Sequence, residues 1–332
     1  MQDASLICRI CGNDWENKIY KAQEMMFGFR DEFEYFECNN CGCLQIKNIP
    51  QDMSKYYPAN YPSFKYPIII KQNRHDNFLV RYFRHKRTYY ALGQKSILGK
   101  FLLILRPLEK QLSEYLAWIE KCRADFDSRI LDVGCAEGKL LLELAWYGFK
   151  NLFGIDPYIE KDIVYANGTR IMKKDLFTEE NNYDVIMFHH SFEHMPEPSA
   201  VLRKVARLLN QAGYILIRLP TKSSYAWENY GVNWVQIDAP RHFFLHSLKS
   251  IEILTNQAGL KIKDIVFDST DFQFWGSEQY QNDIPFLDEK SYFINPKKSI
   301  FSDDDIRRFK LKATELNQQR IGDQVCIYLT KD

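Results

Sequence analysis

The sequence predicts an α/β protein built on a doubly wound, mainly parallel sheet of seven strands, with a small cysteine-rich module ahead of it. Three observations carry this. From residue 126 onward, short apolar runs alternate with segments of helical spacing. A turn of small residues follows the first of those runs. Two Cys-x-x-Cys pairs stand within the first fifty residues.

The strands and helices are read in order. Residues 129–133 form an apolar run ending in Gly134, and residues 139–146 have helical spacing before a stop at Gly148. Residues 151–155 are the second strand, ended by Asp156 and Pro157. Residues 170–172 are a weak third strand and residues 183–188 a strong fourth. Residues 199–209 carry apolar positions at helical spacing, and Gly213 precedes a fifth strand at 214–219. A helix at 248–258 stops at Gly259, followed by a strand at 261–268. A charged helix at 303–319 leads to the last strand at 324–329, which is expected to be antiparallel. The expected division is a cysteine module at 1–50, a basic and aromatic helical region at 51–125, and the sheet domain at 126–332.

Composition bounds the partners. The chain has 332 residues, 45% hydrophobic and 26% charged, enough apolar content for a large core and too much for disorder. A net charge of +1 gives no global attraction to nucleic acid. The N-terminus lacks a basic start followed by a long apolar run. The most apolar stretch, 97–105, is broken by Gly99 and Lys100 and falls short of the roughly 20 residues a membrane span needs. A cytoplasmic location is expected. Reduced cysteines at close spacing then read as metal ligands.

Cys8 and Cys11 form one pair, Cys38 and Cys41 another, with 26 residues between them. Four thiolates from two such pairs suit tetrahedral zinc in a structural, zinc-ribbon-like site with no open position. The other reading is a set of unmetallated thiols. Cys43 is read as a buried apolar residue.

The turn after the first strand holds Asp132, Gly134, Ala136 and Gly138. Small residues at alternate positions admit a ligand close to the backbone. A dinucleotide fingerprint would need a third glycine where Lys139 stands. Asp156 follows Gly138 by 18 residues, at the end of the second strand, where a carboxylate can take both hydroxyls of a ribose. The bland reading of each is a plain strand-to-helix turn and a capping carboxylate.

This pattern resembles the first motif of the class I S-adenosylmethionine (SAM)-dependent methyltransferases. Residues 183–198, YDVIMFHHSFEHMPEP, resemble the fourth-strand region of a bacterial group that includes quinone and sugar methyltransferases. Residues 231–244 resemble an insertion found in members from polysaccharide biosynthesis. The resemblance implies a Rossmann-like sheet and SAM as cofactor. Asp132, Gly134, Ala136 and Gly138 would wrap its methionine part. Asp156 would bind the ribose, with Asp175 and Leu176 at the adenine and His189 beside the methyl donor.

A base for the acceptor is sought after the fourth strand, because histidine titrates near neutral pH. His194 and Glu193 lead, with His190 and His242 as further candidates, and Arg241 is placed near the same cleft. Tyr225, Trp227, Tyr230 and Trp234 could line an acceptor site or fill a core. Residues 271–302 are expected to shape the acceptor pocket. The cysteine module resembles that of deoxysugar C-methyltransferases, whose further C-terminal domain is not expected here.

The expected activity is methyl transfer to a small-molecule or glycan acceptor, most plausibly a sugar hydroxyl in surface polysaccharide biosynthesis. An RNA methyltransferase and a non-catalytic binding fold are the alternatives. Between Lys71 and Lys110 there are ten Lys or Arg against two acids, Asp76 and Glu109. That segment reads either as a solvated helical face or as a contact with an anionic partner, including peripheral membrane contact.

Overall fold

The structure is a computed structural model that describes residues 6–58, 77–108 and 110–331. The chain forms two compact units. One comprises residues 1–58, 190–202 and 217–327, the other 59–189, 203–216 and 328–332. Twelve strands are found among the described residues: β1 (Lys18–Gln23), β2 (Glu32–Glu37), β3 (Leu44–Ile46), β4 (Arg129–Val133), β5 (Asn151–Ile155) and β6 (Ile163–Val164). They continue with β7 (Arg170–Met172), β8 (Tyr183–His189), β9 (Leu209–Pro220), β10 (Phe244–Leu245), β11 (Leu260–Phe267) and β12 (Gln324–Lys331).

In the second unit, β4 pairs in parallel with both β5 and β8, and β5 pairs in parallel with β7. Ile130, Leu131, Val185, Ile186 and Met187 are fully buried. Strands covered on both faces read as continuous apolar runs, which is why β4 and β8 were visible in the sequence. The strand order is β11-β12-β9-β8-β4-β5-β7-β6. The winding reverses between β4 and β8, so the residues after β4 sit where sheets of this kind bind ligands.

The sheet has eight strands, one more than expected. The addition is β6, a two-residue edge strand antiparallel to β7. It is too short for any period to reveal. The expected elements otherwise recur with shifts of one or two residues, apart from the fifth strand, which starts five residues earlier. The helix Lys139–Tyr147 lies between Gly138 and Gly148, both at positive φ. The helix Asp303–Gln318 starts at a capping box of Ser302 and Asp305.

In the first unit, a second sheet has the order β1-β2-β3-β10. β10 pairs Phe244 with Gln45 and Leu245 with Leu44, some two hundred residues apart in sequence. No local pattern announces such a partner. The helix Phe272–Gln281 was also unforeseen. Gln273 to Ser277, Gln279 and Tyr280 are all buried, so it has no polar face to give it a helical period.

Arg241 ties this unit together. Its side chain is fully buried, with Nη2 donating to Glu24 Oε1 at 2.9 Å and to Asp238 Oδ1 at 2.6 Å. Nη1 donates to the Tyr56 carbonyl. Glu24 in turn accepts from the backbone N–H groups of Met26, Phe27 and Phe29. Arg241 was expected near the acceptor; it is instead an internal cross-link. Losing one member of such a set costs about 3–5 kcal/mol, because the remaining charges stay buried without it.

The helices Phe78–Ala91 and Ile97–Leu105 belong to the second unit. Phe78, Ile97, Phe101, Ile104 and Leu105 are 77%, 93%, 56%, 68% and 66% exposed, an apolar surface open to solvent. No helix among the described residues is long and apolar enough to cross a membrane.

Candidate functional site

A carboxylate and backbone bonds hold the turn after β4, Gly134 N–H donating to the Ile155 carbonyl and Gly138 N–H to that of Cys135. Asp156, at the end of β5, accepts from the backbone N–H of Ala136 through Oδ2 and of Tyr158 through Oδ1, each at 2.9 Å. Gly134, Ala136 and Gly138 all have positive φ. At Gly138 a Cβ would stand 2.4 Å from Ile171 Cδ1, and at Gly154 one would meet Cys135 Sγ at the same distance. The turn therefore approaches β5 and β7 too closely for larger residues. Ala136 tolerates its conformation at a cost a glycine would avoid.

Asp132 is buried at the end of β4, and its Oδ1 has no hydrogen-bond partner. Burial, with Asp156 beside it, pushes its carboxyl up to about 8. An orphaned acceptor at this place fits a ligand bearing a donor. Asp175 is exposed and caps a three-residue 3-10 turn, accepting from the Phe177 N–H at 2.7 Å, while Leu176 is buried. The His189 ring lies 4.7 Å from that of Trp118.

The candidate bases belong to the first unit, in the segment that follows β8. Glu193 is fully buried and, among the described residues, neither of its oxygens has a well-formed hydrogen bond. His190 Nδ1 lies 3.4 Å from Oε1 and His242 Nε2 lies 3.9 Å from it. Burial pushes the Glu193 carboxyl up, but His190, His242 and His194 overrule it and hold it at about 2.

Hydrogen bonds assign the ring protons. His242 Nδ1 is 2.7 Å from the Gln236 carbonyl and His194 Nδ1 is 2.8 Å from the Arg241 carbonyl. A carbonyl only accepts, so each Nδ1 carries a proton and each neutral ring keeps its lone pair on Nε2. His190 differs: its Nε2 accepts from Arg218 Nη1 at 2.7 Å and Arg218 is paired with Asp268. With Nδ1 turned to Glu193, His190 has no free lone pair and is a positioning residue in this geometry.

Asp238 was not singled out from the sequence. Its Oδ2 lies 3.9 Å from His242 Nε2. Burial raises its carboxyl, and Arg241 outweighs that and keeps it below the ordinary value. Burial and His194 push His242 down to about 4, against Asp238 and Glu193, so the ring is neutral at pH 7. The signal available was the spacing of Asp238 and His242, four residues apart across Pro240.

The aromatic residues of the insertion are mostly core. Trp234 is fully buried with its Nε1–H on Asp323, Trp227 packs edge-on to Tyr20, and Tyr230 donates to Glu278.

The four cysteines converge. The sulfurs of Cys8, Cys11, Cys38 and Cys41 all lie within 4.8 Å of one another, with Cys8–Cys41 at 3.6 Å and Cys11–Cys38 at 3.5 Å. In each Cys-x-x-Cys-Gly loop the glycine has positive φ, and its N–H donates to the carbonyl of the first cysteine. Cys43 stays outside the group, fully buried with its thiol on the Leu245 carbonyl.

Comparison with known proteins places this geometry. Residues 104–265 match the family model described as a methyltransferase domain. The ubiquinone biosynthesis O-methyltransferase of Bordetella avium (strain 197N) is 28% identical over 165 residues, 44% of this chain and 68% of that protein. Its namesake in Pseudomonas aeruginosa (strain UCBPP-PA14) is 25% identical over 167 residues, 45% of this chain and 71% of that protein. A solved mycolic acid cyclopropane synthase complexed with SAH and CTAB is 15% identical, with a TM-score of 0.43, covering 66% of this chain and 83% of that one. The chain belongs to the class I SAM-dependent methyltransferases and is an enzyme of that class. The cysteine module lies outside the matched residues.

Proposed function

We propose that the enzyme transfers a methyl group from SAM to a hydroxyl of a small molecule. The observation that carries this reading is the largely buried histidine–carboxylate cluster of Glu193 and His194, after β8, with Asp238 and His242 from the insertion. Bound SAM supplies a methyl group already activated as a sulfonium. The protein's task is to align the acceptor and take its proton. His194 and His242 each hold a lone pair on Nε2, with Nδ1 pinned to a carbonyl. Glu193 stabilises the imidazolium that forms. The names of the two curated relatives support oxygen as the acceptor atom. A sugar hydroxyl rests on the resemblances of residues 183–198, of residues 231–244 and of the cysteine module.

For SAM, Gly134, Ala136 and Gly138 offer the close backbone approach and Asp132 an unused acceptor. Asp156 has a second lone pair on each oxygen for ribose hydroxyls. Asp175, Leu176 and His189 complete the proposed surface around the adenine and the methionine end. The four cysteines fit structural zinc: sulfur separations of 3.5 and 3.6 Å approach the edge of about 3.8 Å set by tetrahedral Zn–S bonds. The three sequence regions at 1–50, 51–125 and 126–332 would then correspond to metal, membrane-facing and catalytic roles. Residues 77–108 carry seven Lys or Arg and no acid beside an exposed apolar face, which suits the surface of an anionic membrane. Of the basic segment, residues 71–76 and 109 lie outside the described residues.

Four outcomes follow. Asp156→Ala should weaken SAM binding by about 1.5–3 kcal/mol in titration calorimetry; unchanged affinity would remove Asp156 from the cofactor site. His194→Ala should cut kcat at least about 100-fold on an acceptor found by screening phenols, sugar nucleotides and total RNA. A full-rate variant excludes His194 as base, and methylated RNA alone overturns the small-molecule reading. Elemental analysis should find one zinc per chain, lost in Cys8→Ser with SAM affinity kept; zinc surviving that change excludes the thiol site. The protein should sediment with phosphatidylglycerol-containing vesicles and not with pure phosphatidylcholine, and Ile97→Glu with Phe101→Glu should abolish this. Equal recovery with both vesicles rules out the anionic-surface assignment.

A further inference from the structure

The same cluster has the composition of a second metal site. The donor atoms of Glu193, His194 and His242 all lie within 4.8 Å of one another. Two histidines and one carboxylate are the donor set of many divalent transition-metal centres that keep open positions. Distance alone would be weak ground, and two further observations point to a ligand.

The first is Glu193. It is fully buried, and among the described residues neither oxygen has a well-formed hydrogen bond, His190 Nδ1 standing off at 3.4 Å. A carboxylate taken out of water without donors is costly unless a cation compensates it. Among the described residues, Arg241 pairs with Glu24 and Asp238, and Arg218 with Asp268 and His190. The second is the orientation of the rings. His194 and His242 each place Nδ1–H on a backbone carbonyl, which fixes the tautomer with the lone pair on Nε2. That outer hydrogen bond is the usual support of a metal-bound imidazole. His242 Nε2 lies 3.9 Å from both Glu193 Oε1 and Asp238 Oδ2. Donors around an ion with bonds of about 2.1 Å are about 3–4 Å apart, so small side-chain movements complete the set.

We propose that Glu193, His194 and His242 bind a divalent transition-metal ion, with Asp238 as a neighbouring carboxylate. This deepens the hydroxyl-methylation reading and rests on it for the role of the ion. Open positions on the ion would take the oxygen of the acceptor, favouring acceptors with a hydroxyl or a pair of adjacent hydroxyls. The ion and direct proton uptake by His194 are alternatives at the same lone pair.

The test is a Co2+ titration of the full-length, zinc-loaded protein, followed by absorption spectroscopy without SAM or acceptor. One Co2+ per chain with weak d–d bands and no sulfur charge-transfer band is the expected result. Glu193→Gln and His242→Ala should each weaken this binding more than about 100-fold, beyond the effect of losing an outer hydrogen bond. Cys8→Ser should retain it. SAM affinity of each variant reports whether the sheet domain is folded. The proposal is overturned if the wild-type protein takes up no Co2+, if the only bands are those of thiolate ligation, or if Glu193→Gln binds as tightly as wild type. Because no turnover is measured, each of those results leaves direct base catalysis at His194 standing.

Discussion

The buried Arg241 guanidinium is the interaction on which the first unit depends. It joins Glu24, in the turn after β1, to Asp238 in the insertion, two segments more than two hundred residues apart. Its worth lies in specificity more than in net stability, since desolvating three charges offsets most of their attraction. With Glu24 and Asp238 both committed to it, the backbone around residue 241 is fixed. The Arg241 carbonyl then meets His194, and His242 follows in the chain. A structural ion cluster thus sets the tautomers of the histidines beside it.

The turn after β4 follows a different logic. There Asp156 accepts from the Ala136 N–H, backbone bonds join Gly134 to Ile155 and Gly138 to Cys135, and absent side chains make room. Gly138 and Gly154 are small because Ile171 and Cys135 occupy the space a Cβ would need. Asp132 stays buried with an unused oxygen. Such a loop is preorganised: its shape needs few contacts from the ligand, which leaves the remaining lone pairs for recognition.

Much of the sheet was legible. β4, β5 and β8 are mainly apolar runs, followed by glycine or aspartate or ended by histidine, at the carboxyl edge of the sheet. The two Cys-x-x-Cys-Gly loops were legible because each is a closed local motif. The helix Phe272–Gln281 was not, since a helix buried on every side has no period. β6 and β10 were missed because two residues carry no pattern. Trp234, Trp227 and Tyr230 could have lined a site or filled a core, and burial decided for the core.

The sequence by itself determined the class of fold, the small-residue turn after β4 and the two cysteine loops. These depend on chemistry that is local along the chain: strand-to-turn transitions, small residues and short ligand spacings. Only the tertiary structure decided which of four candidate residues have lone pairs to use. His190 loses its own to Arg218 and turns Nδ1 to Glu193 at 3.4 Å, while His194 and His242 keep theirs on Nε2. The reason is physical: a histidine's role is set by what stands at each ring nitrogen, and those partners come from segments the sequence does not place side by side.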